Sequence, residues 1–219
     1  MTKQDFVKHL LETPHNINPV IVYQLLDELM NTKTVSSQEE LEAALAEGGD
    51  VALNCDIETD KPCVISKDTK LELNGNKIVA KKDYADWYIL KAENAKLTIC
   101  GQGLISAGES VNAIPVTAAS NSVVEILDGE FACRKDQQCV YANGGLVNIY
   151  GGTYGVVEGD EVKDLLNVQN TRNVEDIRVY GGTFVGRDPS LGDDALKGNF
   201  VADGYRSIEI EKGVFKVMK

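Results

Sequence analysis

The segments Val147-Asn-Ile-Tyr-Gly-Gly-Thr-Tyr154 and Ile177-Arg-Val-Tyr-Gly-Gly-Thr-Phe184 are two copies of one eight-residue unit. Apolar residues occupy its first, third and eighth positions, and a polar residue occupies its second. This alternation with a period of two predicts a strand with one buried face, and the glycines that follow predict a sharp corner. Each unit is therefore expected to form a strand, a corner and a second strand.

The same unit occurs six times along the chain. The other copies begin at Leu71, Leu97, Val124 and Ile208. Consecutive copies start 26, 27, 23, 30 and 31 residues apart. This spacing is too short for a propeller blade and lacks the helix of most leucine-rich repeats, whereas it matches one coil of a parallel β-helix.

A second apolar segment and a polar turn separate consecutive units. The segments cover residues 87–90, 113–116, 139–141, 165–168 and 200–202. The turns contain Asn94, Asn121, Asn143 and Asn173, and the last contains Gly204. Asparagine tolerates the left-handed backbone conformation, so a stacked asparagine row is expected at this corner.

Residues 37–47 are predicted to form a helix that covers the first coil, with Ser37 and Glu40 as a capping box. This helix, Val51-Ala-Leu-Asn-Cys-Asp-Ile57 and Leu71-Glu-Leu-Asn-Gly-Asn-Lys-Ile78 together resemble the entry to pectate-lyase-like β-helix proteins. The Gly-Gly-Thr corners strengthen the resemblance, which covers residues 35–219. With the repeat, it implies an all-β, right-handed parallel β-helix of about six to seven coils.

Residues 1–34 are predicted to form a short helical arm in front of the β-helix. Pro14 separates two helical stretches. The apolar face of the second stretch consists of Val22, Leu25, Leu26, Leu29 and Met30. A free short helix would not leave this much apolar surface in water. The arm therefore packs on the β-helix or docks on another chain, and both alternatives are open at this stage.

The fourth position of the unit should point away from the core, yet it is apolar in the middle coils. It holds Cys100, Leu127, Tyr150 and Tyr180, with Asn74 and Glu211 at the two ends. Stacked coils would place these four side chains in one outward row. Either the inserts at residues 134–138 and 187–197 cover the row, or the row is a contact surface with another subunit.

The sequence predicts no catalytic residues, no cofactor and no metal ligands. The Gly-His-Gly and Arg-x-Lys signatures of the pectinolytic relatives do not occur, and the two histidines, His9 and His15, precede the β-helix. Acidic pairs at residues 83–86, 158–161 and 193–194 lie in loops between coils, where solvated charges collect. The five cysteines form no Cys-x-x-Cys pair, so we expect small buried hydrophobes rather than zinc ligands.

The overall charge excludes several partners. A net charge of −12 disfavours nucleic acid and an anionic membrane surface. No apolar run reaches the roughly 18 residues of a membrane span, and the first residues lack the apolar core of a signal peptide.

The segment Thr13-Pro-His-Asn-Ile-Asn-Pro19 and the apolar stretch after it resemble short N-terminal regions of phage structural proteins. This resemblance implies a non-catalytic virion protein of the head-fibre or decoration type, made in the host cytoplasm. Its arm, residues 1–34, would dock to other virion proteins while the β-helix projects, and such projecting β-helices commonly form homotrimers. Two other functions are open: a carbohydrate-binding or polysaccharide-degrading β-helix with a surface glycan as partner, and a bacterial scaffold repeat protein.

Overall fold

The computed structural model describes residues 31–157, 162–169, 173–192 and 198–219, in which twenty strands form three sheets. Sheet A contains β1 (Lys33–Val35), β2 (Gly49–Leu53), β5 (Thr69–Glu72), β8 (Lys96–Cys100), β11 (Val123–Ile126), β14 (Leu146–Ile149) and β17 (Ile177–Val179). Sheet B contains β3 (Ile57–Thr59), β6 (Lys77–Ala80), β9 (Leu104–Ser106), β12 (Glu130–Cys133), β15 (Thr153–Val156), β18 (Gly182–Val185), β20 (Val214–Met218) and β19 (Arg206–Glu211). Sheet C contains β4 (Cys63–Ile65), β7 (Tyr88–Glu93), β10 (Ile114–Ala119), β13 (Val140–Asn143) and β16 (Leu166–Val168).

From β2 to β18 the chain visits sheets A, B and C in turn, and equivalent strands of neighbouring coils pair in parallel. This topology confirms a parallel β-solenoid, in which the second apolar segments at residues 87–90, 113–116, 139–141 and 165–168 supply strands of sheet C. The last predicted segment, residues 200–202, instead bridges to sheet A through Val201 and Val179. All three sheets are present together over about four turns, from β4 to β16. The expectation of six to seven coils was therefore wrong. The right-handed sense of the winding stays a prediction.

The predicted register of the middle coils is confirmed. Val124 pairs with Leu97 on one side and with Val147 on the other, and Val147 pairs with Ile177. All four side chains are buried. Because identical faces stack strand upon strand, each interior column is a continuous apolar ladder that no single coil could bury alone.

Sheet B carries the bulkiest interior column. Phe131, Tyr154 and Phe184 occupy equivalent positions in three successive coils and are fully buried. Their rings stack with centroid separations of 5.0 and 4.8 Å and interplanar angles of 9° and 11°. The Tyr154 hydroxyl donates a hydrogen bond to the Gly151 carbonyl oxygen at 3.0 Å, so its burial leaves no polar group unpaired.

The first repeat unit is displaced by two residues from its predicted alignment. Leu71 pairs with Ile99 rather than with Leu97. The displacement is two residues in β5 and one residue in β6, where Ile78 pairs with Ile105 rather than with Leu104, so the corner after Leu71 is one residue longer than its equivalent. The side-chain amides of Asn74 and Asn76 both donate to the Leu53 carbonyl oxygen beside this corner, at 3.1 Å. Glu72, and not Asn74, therefore lies beside Cys100.

The sixth unit does not form a coil. Its two halves are β19 and β20, which pair antiparallel with each other through the turn at Lys212 and Gly213. This turn, in which Gly213 has a left-handed φ of 73°, reverses the chain within sheet B, whereas the corners of the coils redirect the chain into the next sheet. Strand β20 then pairs antiparallel with β18, so the hairpin closes the carboxyl-terminal end of sheet B.

The predicted asparagine row is correct in part. Asn94 and Asn121 have left-handed φ values of 53° and 60°, and the Asn94 N–H donates to the Ser120 carbonyl oxygen of the next coil at 2.9 Å. In the following coil Gly144, with a φ of 95°, takes this position instead of Asn143. Asn173 has a φ of −92° and precedes a short 3₁₀ helix, Val174–Asp176, so its turn has a different geometry.

Helix α1 (Gln38–Glu47) and strand β1 close the amino-terminal end. The Ser37 side chain accepts a hydrogen bond from the Glu40 N–H at 3.2 Å, and the Glu40 carboxylate accepts one from the Ser36 N–H at 2.7 Å. The buried face of the helix includes Leu41 and Leu45. Strand β1 pairs with β2 and includes the predicted domain boundary after residue 34. The predicted apolar face of the arm, from Val22 to Met30, lies outside the described residues.

The ionisation of Cys63, in the first coil, tests whether the amino-terminal end of the core is shielded from water. Its side chain is fully buried, and burial raises the pKa of the thiol to about 12 from an ordinary value of 9.0. The unfolded chain releases the thiol proton at a lower pH than the folded chain does. The free energy of unfolding therefore decreases as the pH rises from about 9 toward about 12.

We therefore expect the free energy of unfolding in urea to fall between about pH 8 and about pH 10.5, and to fall less steeply in Cys63→Ala. The variant also loses packing, but that loss is the same at every pH and does not affect the slope. Equal slopes for the two proteins would show that the Cys63 thiol is solvated in the folded chain.

Candidate functional site

The four predicted outward residues lie in one row along sheet A, which we call the stripe: Cys100, Leu127, Tyr150 and Tyr180. Backbone hydrogen bonds fix their stacking. The Leu127 N–H donates to the Ile99 carbonyl oxygen at 2.9 Å, the Tyr150 N–H to Ile126 at 2.8 Å, and the Tyr180 N–H to Ile149 at 2.7 Å. The sequence pattern therefore placed these residues correctly, whereas their use as an interface is not tested by the fold.

Aromatic contacts hold the carboxyl-terminal half of the stripe rigid. The rings of Tyr150 and Tyr180 stack with their centroids 5.0 Å apart and an interplanar angle of 13°. Tyr205, which sequence reasoning missed, packs edge-on against Tyr180 with a centroid distance of 5.5 Å. Partial burial and, next in size, the Glu125 carboxylate raise the pKa of the Tyr150 hydroxyl, so it stays uncharged near neutral pH.

The stripe is open to solvent at its centre. Leu127 is 44% exposed and Tyr150 is 46% exposed. The insert at residues 134–138 does not cover them, and the Arg134 side chain instead donates to the Gly108 carbonyl oxygen at 3.3 Å. The Arg187 side chain donates to the Gly192 carbonyl oxygen at 3.3 Å. The rest of that predicted cover, residues 193–197, lies outside the described residues.

A second apolar pair, also missed by sequence reasoning, lies on the same face of sheet A. Val123 and Leu146 pair directly with each other on neighbouring strands, and Leu146 is 49% exposed. Both stand two residues before the polar second position of the unit, so the same period-two alternation could have located them. On the outer face of sheet A, the row of Glu125 and Asn148 thus separates the stripe from this apolar pair, whose column holds Lys96 in the preceding coil.

Two glycines allow the coils to approach each other under the stripe. A Cβ atom added to Gly151 would lie 2.3 Å from the Leu127 carbonyl oxygen, and one added to Gly181 would lie 2.3 Å from the Tyr150 carbonyl oxygen. Any other residue would push neighbouring coils apart at these positions. The Tyr-Gly-Gly-Thr sequence thus combines an outward tyrosine with the glycine that lets the next coil stack on its backbone.

One of the three acidic clusters noted in the sequence lies within the described residues. Asp83 and Asp86 lie in the loop between β6 and β7. The clusters at residues 158–161 and 193–194 lie outside the described residues. In the parts of the chain that the structure describes, no group of three histidine, cysteine or acidic side chains is arranged to hold a metal ion.

One charged pair that the sequence did not predict lies near the carboxyl-terminal end. The Asp164 carboxylate is 3.4 Å from an Arg187 guanidinium nitrogen, and its side chain is only 8% exposed. The pair lies beside a small cavity whose wall includes Leu166, Phe184 and Phe200. We interpret this ion pair as the contact that anchors the loop after β18 to the last coil, because breaking a buried ion pair costs free energy.

The fold and the exposed apolar face define a parallel β-solenoid protein with one prominent candidate contact surface. Comparison of the chain with family models, with curated proteins and with solved structures finds no match in any of the three. Within the described ranges, no helix combines the length and the apolar character needed to cross a bilayer.

Proposed function

We propose that the chain is a non-catalytic structural protein of a larger particle and that the stripe on sheet A packs against another subunit. The observation that carries the proposal is that half-exposed Leu127 and Tyr150 are neighbours in adjacent coils on the outer face of sheet A, where Leu146 is also half exposed. Contiguous exposed apolar surface of this kind marks protein contacts. Burying the exposed half of each leucine would contribute about 1 kcal/mol per side chain.

The proposal includes a particular setting for the protein. The segment at residues 13–30 resembles N-terminal regions of phage structural proteins, and this supports a virion location with residues 1–34 docked to other virion proteins. The same resemblance supports a homotrimer built through the stripe. The resemblance to pectate-lyase-like proteins supports a right-handed winding.

The test of the interface is the mass of the protein in solution. Tyr150→Lys combined with Tyr180→Lys places two charges in the centre of the contact, where an unpaired charge is costly. We expect light scattering after size exclusion to show an oligomer for the wild-type chain and a smaller species for the double variant.

The matched control is Val185→Lys, because Val185 is also 41% exposed but lies on the outer face of sheet B. This variant is expected to keep the wild-type mass. A wild-type chain that is monomeric at every concentration, or a double variant with an unchanged mass, would rule out the stripe as the subunit contact.

A further inference from the structure

The hairpin of β19 and β20 extends sheet B beyond the other two sheets at the carboxyl-terminal end. The last strand of sheet A is β17, which has one further bridge from Val179 to Val201, and the last strand of sheet C is β16. Sheet B continues from β18 into β20 and then β19. In the described residues, β19 has a strand partner on one side only. Its second edge can therefore present backbone N–H and C=O groups to a further strand.

The side chains of β19 have a defined orientation. Ile208 pairs with Lys216, the residue after Phe215, and Phe215 pairs with the buried Phe184. Because side chains alternate along a strand, Lys216 and Ile208 face the outside of sheet B. Arg206, two residues before Ile208, faces the same way.

Glu211 returns to this outer face because a β-bulge precedes it. The bulge makes Ile210 an extra residue, so that Glu211 pairs with the outward-facing Val214. Arg206, Ile208 and Glu211 thus form one row with a cation at one end and an anion at the other. Both charged residues are exposed.

We propose that β19 pairs antiparallel with β19 of a second copy of this chain, so that sheet B continues across a two-fold axis. In this pairing Ile208 faces the partner's Ile208 at the axis, and each Arg206 faces the partner's Glu211. A parallel pairing would instead place Arg206 beside the partner's Arg206 and Glu211 beside the partner's Glu211, which is unfavourable. The order of charges along the row therefore selects the antiparallel, self-complementary arrangement.

This contact uses a different surface from the stripe and does not depend on the proposed function. Its test therefore uses the full chain with Tyr150→Lys and Tyr180→Lys as the parent, so that contacts through sheet A are disabled. Sedimentation equilibrium of the parent is expected to show a concentration-dependent dimer. Arg206→Glu or Glu211→Arg turns both ion pairs of the dimer into like-charge pairs, and each is expected to weaken dimerisation about tenfold.

The charge exchange provides the decisive measurement. The variant that combines Arg206→Glu with Glu211→Arg restores opposite charges across the axis and is expected to regain the dimer of the parent. Lys212→Glu is the control, because it makes the same change of charge in the exposed turn of the same hairpin. Circular dichroism verifies that each variant is folded. A parent that stays monomeric, single variants that dimerise like the parent, or a combined variant as weak as the single ones would overturn the proposal.

Discussion

Tyr154→Ala is expected to lower the free energy of unfolding by about 3–5 kcal/mol, the loss typical of a large aromatic side chain removed from a packed core. The ring is fully buried between Phe131 and Phe184, with centroid distances of 5.0 and 4.8 Å. Its removal would leave a cavity in the middle of the column, and both neighbouring rings would lose a stacking partner. Equilibrium unfolding in urea, followed by circular dichroism, measures the loss.

Two matched variants separate burial from the other properties of this side chain. Tyr154→Phe removes only the hydroxyl that donates to the Gly151 carbonyl oxygen and should cost about 1 kcal/mol. Tyr150→Ala removes a ring four residues earlier that is 46% exposed and stacks on one neighbour, and should also cost about 1 kcal/mol. Equal losses for Tyr150→Ala and Tyr154→Ala would mean that the assignment of inner and outer faces is wrong.

Gly181→Ala is expected to destabilise the solenoid by about 1–3 kcal/mol through steric overlap between coils. The added Cβ atom would lie 2.3 Å from the Tyr150 carbonyl oxygen and 3.1 Å from the carbonyl carbon. These atoms belong to the backbone of the preceding coil, which cannot move aside without breaking the ladder between β14 and β17. The measurement is the urea unfolding midpoint compared with that of the wild-type chain.

Gly155→Ala is the control for this substitution. A Cβ atom at Gly155 would meet only the Val185 Cβ atom, at 3.7 Å, which is an ordinary contact. Because alanine also restricts the unfolded chain more than glycine does, we expect stability to stay level or to rise by about 0.5 kcal/mol. Similar losses for both variants would indicate a general intolerance of alanine at glycine positions of the coils, since Gly181 lies in a corner and Gly155 in strand β15.

The repeat predicted the interior of the solenoid better than its ends. The predicted pairing of Leu97, Val124, Val147 and Ile177 was confirmed. A slip of one residue would turn the apolar face to solvent, whereas a slip of two keeps it buried, as the first unit shows. The last unit, from Ile208 to Phe215, satisfies the same pattern but forms a hairpin. Its second strand, β20, folds back and pairs antiparallel with β18, so Phe215 lies beside the buried Phe184.

In the candidate site, too, the repeated residues could be predicted from the sequence and the residues outside the repeat could not. The stripe could be predicted because the fourth residue of each middle unit points away from the core on the same side of the solenoid. Tyr205 and the Asp164–Arg187 pair could not be predicted, since neither belongs to the repeated unit and both contacts join residues more than twenty positions apart. Such contacts depend on where loops of different lengths return to the body of the solenoid.

The sequence by itself determined that this protein is a stacked β-solenoid, which residues line its interior, and where the outward tyrosines lie. These properties follow from local alternation and from glycine at the corners, and they repeat in each coil. The capping box at Ser37 and Glu40 also predicted the helix that covers the first coil. Only the tertiary structure decided the number of complete turns, the displacement of the first unit, the terminal hairpin and the free edge of β19. The physical reason is that an end of a stack has a neighbour on one side only, so its structure depends on what covers it rather than on the repeat.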